Sequence, residues 1–130
     1  MQRFPSIDEW LSEAKRSESA DRAGMYLIHN GVVRKSPRAQ VRQGVNDGTQ
    51  VVGMHFDYDE EKVAEAVEKA KQLEGVFYVR VWLNRGDLAV GDPIMLVLIG
   101  ADIRPHGIDS LERLVGEIKS NCVIENEQLV

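Results

Sequence analysis

Apolar residues recur along the chain with two different periods, one typical of amphipathic helices and the other of buried strands. Helical spacing predicts three helices, whose apolar stripes span residues 7–14, 63–73 and 108–118. Apolar, β-branched runs predict strands at 24–34, 49–58, 76–83 and 94–99, and the tail after Cys122 has the composition of a short edge strand. The order α-β-β-α-β-β-α-(β) predicts an α+β fold, an antiparallel-rich mixed sheet with helices packed on one face.

The segments between these elements carry turn and cap signals. Ser6 and the acidic residues around Asp59 are placed to cap helix starts. Asn46-Asp47-Gly48 is a turn signal, and residues 84–93 read as two turns pinned to the core by Leu88 and Val90. Residues 36–44 have no periodicity and predict a mobile loop.

Length and composition indicate one ordinary globular domain, residues 1–130. The net charge of -5 argues against a nucleic-acid or anionic-membrane partner. No apolar run approaches the roughly 20 residues that cross a bilayer, and residues 1–5 lack the apolar core of a signal peptide. A single cysteine fits a reducing compartment. We therefore expect a cytoplasmic protein.

One basic patch stands out in this acidic chain. Residues 22–46 contain no Asp or Glu, but they contain Arg34, Lys35, Arg38 and Arg42. Such a patch predicts an anionic ligand; the alternative is a set of solvated loop charges. Arg34 is the strongest candidate, because it ends an apolar strand that would hold its guanidinium rigidly.

A second candidate unit runs from the most apolar strand, 94–99, through Arg104 and His106 into a helix ending near Lys119. This strand delivers an arginine and a histidine to a helix entrance, and a lysine follows at the far end. The residues alone thus predict an α+β domain that binds an anion near Arg34, Arg104 and Lys119.

Other chemistry is not indicated. The acidic run from Asp57 to Glu61 lacks the glycine and closing glutamate of a calcium loop, and helix capping explains it better. The histidines and Cys122 lack zinc-site spacing, and no phosphate loop or dinucleotide fingerprint occurs. His29, alone in a strand, is more typical of a packed histidine than of a ligand. We predict neither metal nor cofactor.

Several short motifs occur in a specific order. Residues 31–34 read Gly-Val-Val-Arg, residues 75–76 Gly-Val, and residues 86–92 Gly-Asp-Leu-Ala-Val-Gly-Asp, followed by a strand, Arg104 and a helix with Ile-Lys at 118–119. This order resembles the large, catalytic subunit of molybdopterin synthase over residues 24–127. The resemblance implies an α/β-hammerhead-like fold and a homodimer.

The resemblance also implies a reaction in molybdenum cofactor biosynthesis. The family converts cyclic pyranopterin monophosphate to molybdopterin, with sulfur from a thiocarboxylate on the Gly-Gly tail of a small ubiquitin-like subunit. Arg34 and Arg104 match arginines that suit phosphate and pterin oxygens, and Lys119 matches the first of two lysines of the sulfur-transfer pocket. Lys35 and His106 join the arginines as substrate-binding candidates, and Lys119 is the catalytic candidate.

Two positions depart from the family pattern. A His-Arg pair is Ile103-Arg104 here, and the closing Pro-x-Trp-Lys-Lys-Glu is replaced by residues 122–127, Cys-Val-Ile-Glu-Asn-Glu. The second lysine is missing, with a carboxylate nearby. The alternatives are therefore a synthase with a degenerate site, a non-catalytic homologue that binds a pterin, a phosphate or the small subunit, and a structural dimer.

Helix length adds a constraint on Arg104 and Lys119. At about 1.5 Å per residue, a helix separates these residues by roughly 20 Å within one subunit. A twofold dimer that places Arg104 of one subunit beside Lys119 of the other would let them share a site.

Overall fold

A computed structural model describes residues 2–44 and 47–130 of the chain. In those residues the helices are α1 (Ile7–Lys15), α2 (Arg38–Gln43), α3 (Glu60–Lys71) and α4 (Arg104–Glu117), with a 3₁₀ turn at Ala20–Arg22 and a π-helical turn at Ile118–Cys122. The strands are β1 (Met25–Val32), β2 (Val51–Tyr58), β3 (Val76–Leu83), β4 (Gly86–Ala89), β5 (Pro93–Ala101) and β6 (Val123–Leu129). The α+β class is confirmed.

The strands form two antiparallel three-stranded sheets, one in the order β1-β5-β3 and the other in the order β4-β2-β6. β5 is the central strand of the first sheet, and every residue in it after Pro93 is buried. A strand covered on both faces needs apolar side chains on both, which explains why this run is the most apolar in the sequence.

Alternate side chains of β5 enter two separate cores. Leu96 and Leu98 pack with Trp10 of α1 on one face of the sheet. Met95, Val97 and Ile99 point to the other face, where they join the core formed with α3, α4 and the second sheet. The helices therefore lie on both faces of the first sheet and not on one, and a second sheet covers part of the face opposite α1.

Several local predictions are confirmed. The Ser6 hydroxyl accepts a hydrogen bond from the Glu9 amide, and the Asp59 carboxylate accepts from the first amides of α3. β3 and β5 pair antiparallel, with Val81 opposite Val97. The tail forms the edge strand β6, and β1 carries a register shift at Gly31.

Other local predictions are wrong in detail. Gly86 and Asp87 belong to β4, whose pairing with β2 puts Leu88 in the core but leaves Val90, beyond the strand end, exposed. Ala64 is exposed on α3, and Ala66 is buried in its place. The predicted loop at 36–44 contains α2, and the final helix ends at Glu117 before a π-helical turn. In the turn signal, Asn46 lies outside the described residues.

No helix in the described part of the chain is long and apolar enough to cross a membrane.

The core of the second sheet gives a test of the two-sheet arrangement. Phe56 on β2 is fully buried in the main core. Phe56→Ala should lower the free energy of unfolding by about 3–5 kcal/mol, because it removes buried apolar surface and leaves a cavity. Val52 on the same strand is 54% exposed, so Val52→Ala should change stability by no more than ~0.5 kcal/mol. Urea unfolding of both variants measures the difference; equal effects would contradict this packing.

Candidate functional site

A cavity of about 390 Å³ lies where the end of β1, helix α2, the π-helical turn and β6 meet. This volume lies within the range typical of small-molecule sites. Its charged lining consists of four cationic side chains and two carboxylates among the described residues: Arg34, Arg38, Arg42, Lys119, Glu125 and Glu127. The apolar side chains of Val32, Met54 and Ile94 form part of the remaining wall. The excess of positive charge suits an anionic ligand.

Lys119 reaches this cavity from the π-helical turn. Ile118 and Cys122 of that turn are buried in the core and anchor it. The Cys122 carbonyl also accepts a hydrogen bond from the Asp59 amide, which ties the turn to the start of α3. Lys119 lies between these anchors, and its side chain is about one-third exposed. A π-helical turn is a frequent way of placing a side chain at a functional site.

Arg34 reaches the cavity from the chain that leaves β1. The strand ends at Val32, and Val33 is buried before the chain becomes exposed at Arg34. The expectation that Arg34 itself ends the strand was therefore wrong by two residues. Its Nε donates a hydrogen bond to the Ser36 carbonyl, with 3.0 Å between the two atoms. This bond orients the guanidinium and leaves both terminal nitrogens for a ligand.

Helix α2 brings Arg38 and Arg42 to the same cavity. Its first amide, that of Arg38, donates to both carboxylate oxygens of Glu127, at 3.2 and 3.1 Å. Pro37, the residue before the helix, provides no side-chain cap. Glu127 on β6 therefore supplies a carboxylate at the positive end of the helix, and the acidic last strand holds the basic segment in place.

Glu125 lies between Lys119 and Arg38. It faces Phe56 across the β2–β6 pair, so its side chain points inward, and that side chain is only 11% exposed. Its Oε1 lies 3.2 Å from Lys119 Nζ, and its Oε2 lies 3.8 Å from an Arg38 nitrogen. The Oε1 contact lacks hydrogen-bond geometry, and this oxygen has no hydrogen-bond partner in the described residues. A carboxylate thus contacts the predicted catalytic lysine.

Sequence reasoning left the orientation of Glu125 open and gave little weight to Arg38 and Arg42. Strand alternation could have settled the first point. In residues 123–129, Val123, Glu125 and Glu127 share one face, and the valine is a natural core residue. The role of α2 had no comparable signal, because its cap comes from a residue 89 positions away.

Comparison with known proteins decides the family. The family model described as "MoaE protein" matches residues 6–121 of this chain. The chain belongs to the MoaE protein family. That is the family of the large subunit of molybdopterin synthase, and membership supports a role in molybdenum cofactor biosynthesis. An uncharacterised protein of Methanocaldococcus jannaschii is 30% identical over 99 residues, which cover 74% of this chain and 77% of that protein.

Solved structures of MoaE-like proteins have the same fold. Molybdopterin synthase from Staphylococcus aureus is 17% identical and matches with a TM-score of 0.71, covering 95% of this chain and 85% of that one. A molybdopterin biosynthesis MoaE protein from Burkholderia ambifaria is 16% identical, with a TM-score of 0.73 over 99% and 84% of the two chains. A complex of subunits 1 and 2 of the molybdopterin-converting factor from Helicobacter pylori matches with a TM-score of 0.62 at 20% identity. The match covers 94% of this chain and 78% of that one.

The remaining predicted site residues of this MoaE-family chain lie outside the cavity lining. Lys35 follows Arg34 but borders a separate, smaller depression next to α2. Arg104 is the first residue of α4, whose full length separates it from the π-helical turn that carries Lys119. His29 is half-buried on β1, and its pKa is lowered by burial and, secondarily, by the charge of Lys119. Within one subunit, the cavity therefore unites Arg34 with Lys119 and leaves Arg104 apart.

His106 lies near two carboxylates at the start of α4, apart from the cavity. Its Nδ1 lies 2.7 Å from Asp102 Oδ1, and its Nε2 lies 3.8 Å from a Glu74 oxygen. The hydrogen bond to Asp102 raises the pKa of His106 and lowers that of Asp102. The described residues contain no group of three or more His, Cys, Asp or Glu side chains placed to hold a metal ion.

The pair of His106 and Asp102 predicts a pH-dependent stability. Because the folded pKa of His106 exceeds its usual 6.5, the pair's contribution is fully present below that usual value and is lost as pH rises through the folded pKa. The stability advantage of the wild type over His106→Gln should therefore be larger at pH 6 than at pH 9. Chemical unfolding at both pH values measures it. An advantage that grew with pH would contradict the assignment.

Proposed function

We propose that this chain is the large subunit of a molybdopterin synthase and transfers sulfur to cyclic pyranopterin monophosphate. The observation that carries the proposal is the cavity that unites Arg34 and Lys119 in a chain of the MoaE family. The sulfur donor is a thiocarboxylate at the Gly-Gly tail of a small ubiquitin-like subunit. The complex of the two subunits of the molybdopterin-converting factor from Helicobacter pylori supports a partner of this kind.

Each residue in the cavity has a chemical role in this proposal. Arg34 binds the substrate phosphate through its two free terminal nitrogens, the geometry in which arginine recognises such groups. Lys119 acts on the acyl group of the small subunit, as nucleophile or as acid/base, when the thiocarboxylate gives up its sulfur. Lys35 follows Arg34 in the chain but lies outside the cavity lining, so its role is limited to adding positive charge to the surrounding surface. We place this reaction in the cytoplasm.

The large subunit is a homodimer in the active assembly of this proposal. Arg104 and His106 lie at the opposite end of α4 from Lys119, too far away to serve the same cavity. A twofold axis would let Arg104 and His106 of the partner subunit complete the cavity that contains Lys119. Each dimer would then have two equivalent sites, and every site would contain residues from both chains.

Removal of Lys119 tests the enzyme assignment. Lys119→Ala should lower the rate of molybdopterin formation by about 10²–10⁴-fold, the range that a positioned acid/base contributes. The assay combines the purified chain with thiocarboxylated small subunit and cyclic pyranopterin monophosphate. Lys15→Ala, an exposed lysine on α1, is the matched control and should keep full activity. Full activity in Lys119→Ala would contradict the assigned role.

Mixing two inactive variants tests the shared site. Arg104→Ala and Lys119→Ala should each be inactive alone, since every site loses one residue. A mixed dimer contains one site with both residues intact, so unfolding the two variants together and refolding them should restore about one quarter of the wild-type activity. No recovery, or a monomer by light scattering, would overturn the dimeric site.

A second candidate function is a non-catalytic homologue that binds a pterin, a phosphate or the small subunit. The contact of Glu125 with Lys119 favours it, because a lysine engaged by a carboxylate is a poor nucleophile. The same assay separates the two: binding of substrate and small subunit without product would support this second function.

A further inference from the structure

The cations of the cavity fall into two groups. Arg34 and Arg42 have no carboxylate within ion-pair distance among residues 2–44 and 47–130, and both side chains are exposed. Lys119 and Arg38, in contrast, contact opposite oxygens of Glu125. We call the first pair the open half of the cavity and the second pair, with Glu125, the occupied half.

The position of Glu125 is determined by strand pairing and not by hydrogen bonds to its carboxylate. Pairing of β6 with β2 fixes its backbone opposite Phe56, which forces the carboxylate inward. There its Oε1 is in contact with Lys119 but has no hydrogen bond in the described residues. A buried carboxylate needs such partners to offset its lost hydration. Its carboxylate therefore competes with an incoming anion for the lysine.

We propose that Glu125 determines where the cavity binds an anion and which ligands it accepts. The open half binds a phosphate monoester group between Arg34 and Arg42. Glu125 acts as an internal carboxylate that keeps a phosphate group away from Lys119. The inference deepens the proposed function, because the anion concerned is the phosphate of the proposed substrate and because Lys119 is the proposed catalytic residue.

The physical basis is competition between like charges at short range. A phosphate in the occupied half would lie within a few ångström of Glu125, and repulsion between such charges is strong where burial reduces the effective dielectric constant. In the open half the same phosphate meets two arginine side chains that have no carboxylate within ion-pair distance in the described residues. The cavity should therefore orient a phosphate monoester with its phosphate at Arg34 and Arg42 and its uncharged end towards Lys119.

A titration with inorganic phosphate tests the role of Glu125. Glu125→Gln keeps the shape of the side chain but removes its charge, so Lys119 becomes available to the anion. This variant should bind phosphate about tenfold more tightly than the wild type by calorimetry, the gain expected for one additional charged hydrogen bond. In Glu125→Gln/Lys119→Ala the gain should disappear. Unchanged affinity in Glu125→Gln, or a gain that persists in the double variant, would overturn the proposal.

Two matched variants complete the experiment. Glu112→Gln removes an exposed carboxylate of α4 that lies outside the cavity lining, so it changes the net charge equally and should leave the affinity within about twofold. Arg42→Ala, an exposed change that leaves the core intact, should weaken phosphate binding about five- to tenfold, whereas Arg16→Ala, at the exposed residue just after α1, should not. Equal effects within either pair would contradict a local site.

The titration is independent of sulfur transfer. Phosphate binding requires neither the small subunit nor turnover, so a Glu125 effect without synthase activity would support the inference and reject the catalytic proposal. Synthase activity that depends on Lys119, with no effect of Glu125 on phosphate affinity, would support the catalytic proposal and reject the inference about Glu125.

Discussion

The burial of β5 on both faces is the constraint on which the rest of the molecule depends. One face requires α1, and the other requires α3, α4 and the second sheet. Its two neighbours, β1 and β3, take their registers from it. The position of Arg34 follows from the end of β1, and that of Lys119 follows from the end of α4, which packs against the same sheet. A buried strand that contains no candidate site residue thus determines where Arg34 and Lys119 lie.

The cavity combines features of a binding site and of an ion-pair network. Four cations attract an anion, but one carboxylate on β6, that of Glu125, already contacts two of them, Lys119 and Arg38. Glu127 has a structural role, since it caps α2 and so helps to hold Arg38 and Arg42 in place. Glu125 has no comparable role, and its contacts are incomplete. The same strand therefore assembles the cavity and restricts its use.

The sequence predicted most of the fold because the relevant forces are local and periodic. The stripe of α1, the caps at Ser6 and Asp59 and the doubly apolar β5 are each visible in a short window of residues. β4 and α2 were missed because neither is stabilised locally. β4 depends on pairing with β2, and α2 depends on a carboxylate from the far end of the chain.

The candidate site was only partly predictable for the same reason. Arg34 and Lys119 were selected by their residue types and a family resemblance, and the structure brings them to one cavity. The pairing of Lys119 with Glu125 needs the inward face of β6, which depends on the register of that strand against β2. His106 looked like a companion of Arg104, but its nearest charged neighbours are Asp102 and Glu74.

The unequal exposure of the two halves of the cavity has a consequence for ionic strength. Arg34 and Arg42 face solvent, so dissolved salt, with a Debye length of about 8 Å at physiological concentration, screens their attraction for a ligand. The contact of Glu125 with Lys119 is largely shielded from water and is screened much less. Salt thus weakens the attraction of the arginines for an incoming anion more than it weakens the contact between Glu125 and Lys119. In this cavity the outcome of that competition depends on the surrounding electrolyte as well as on the residues themselves.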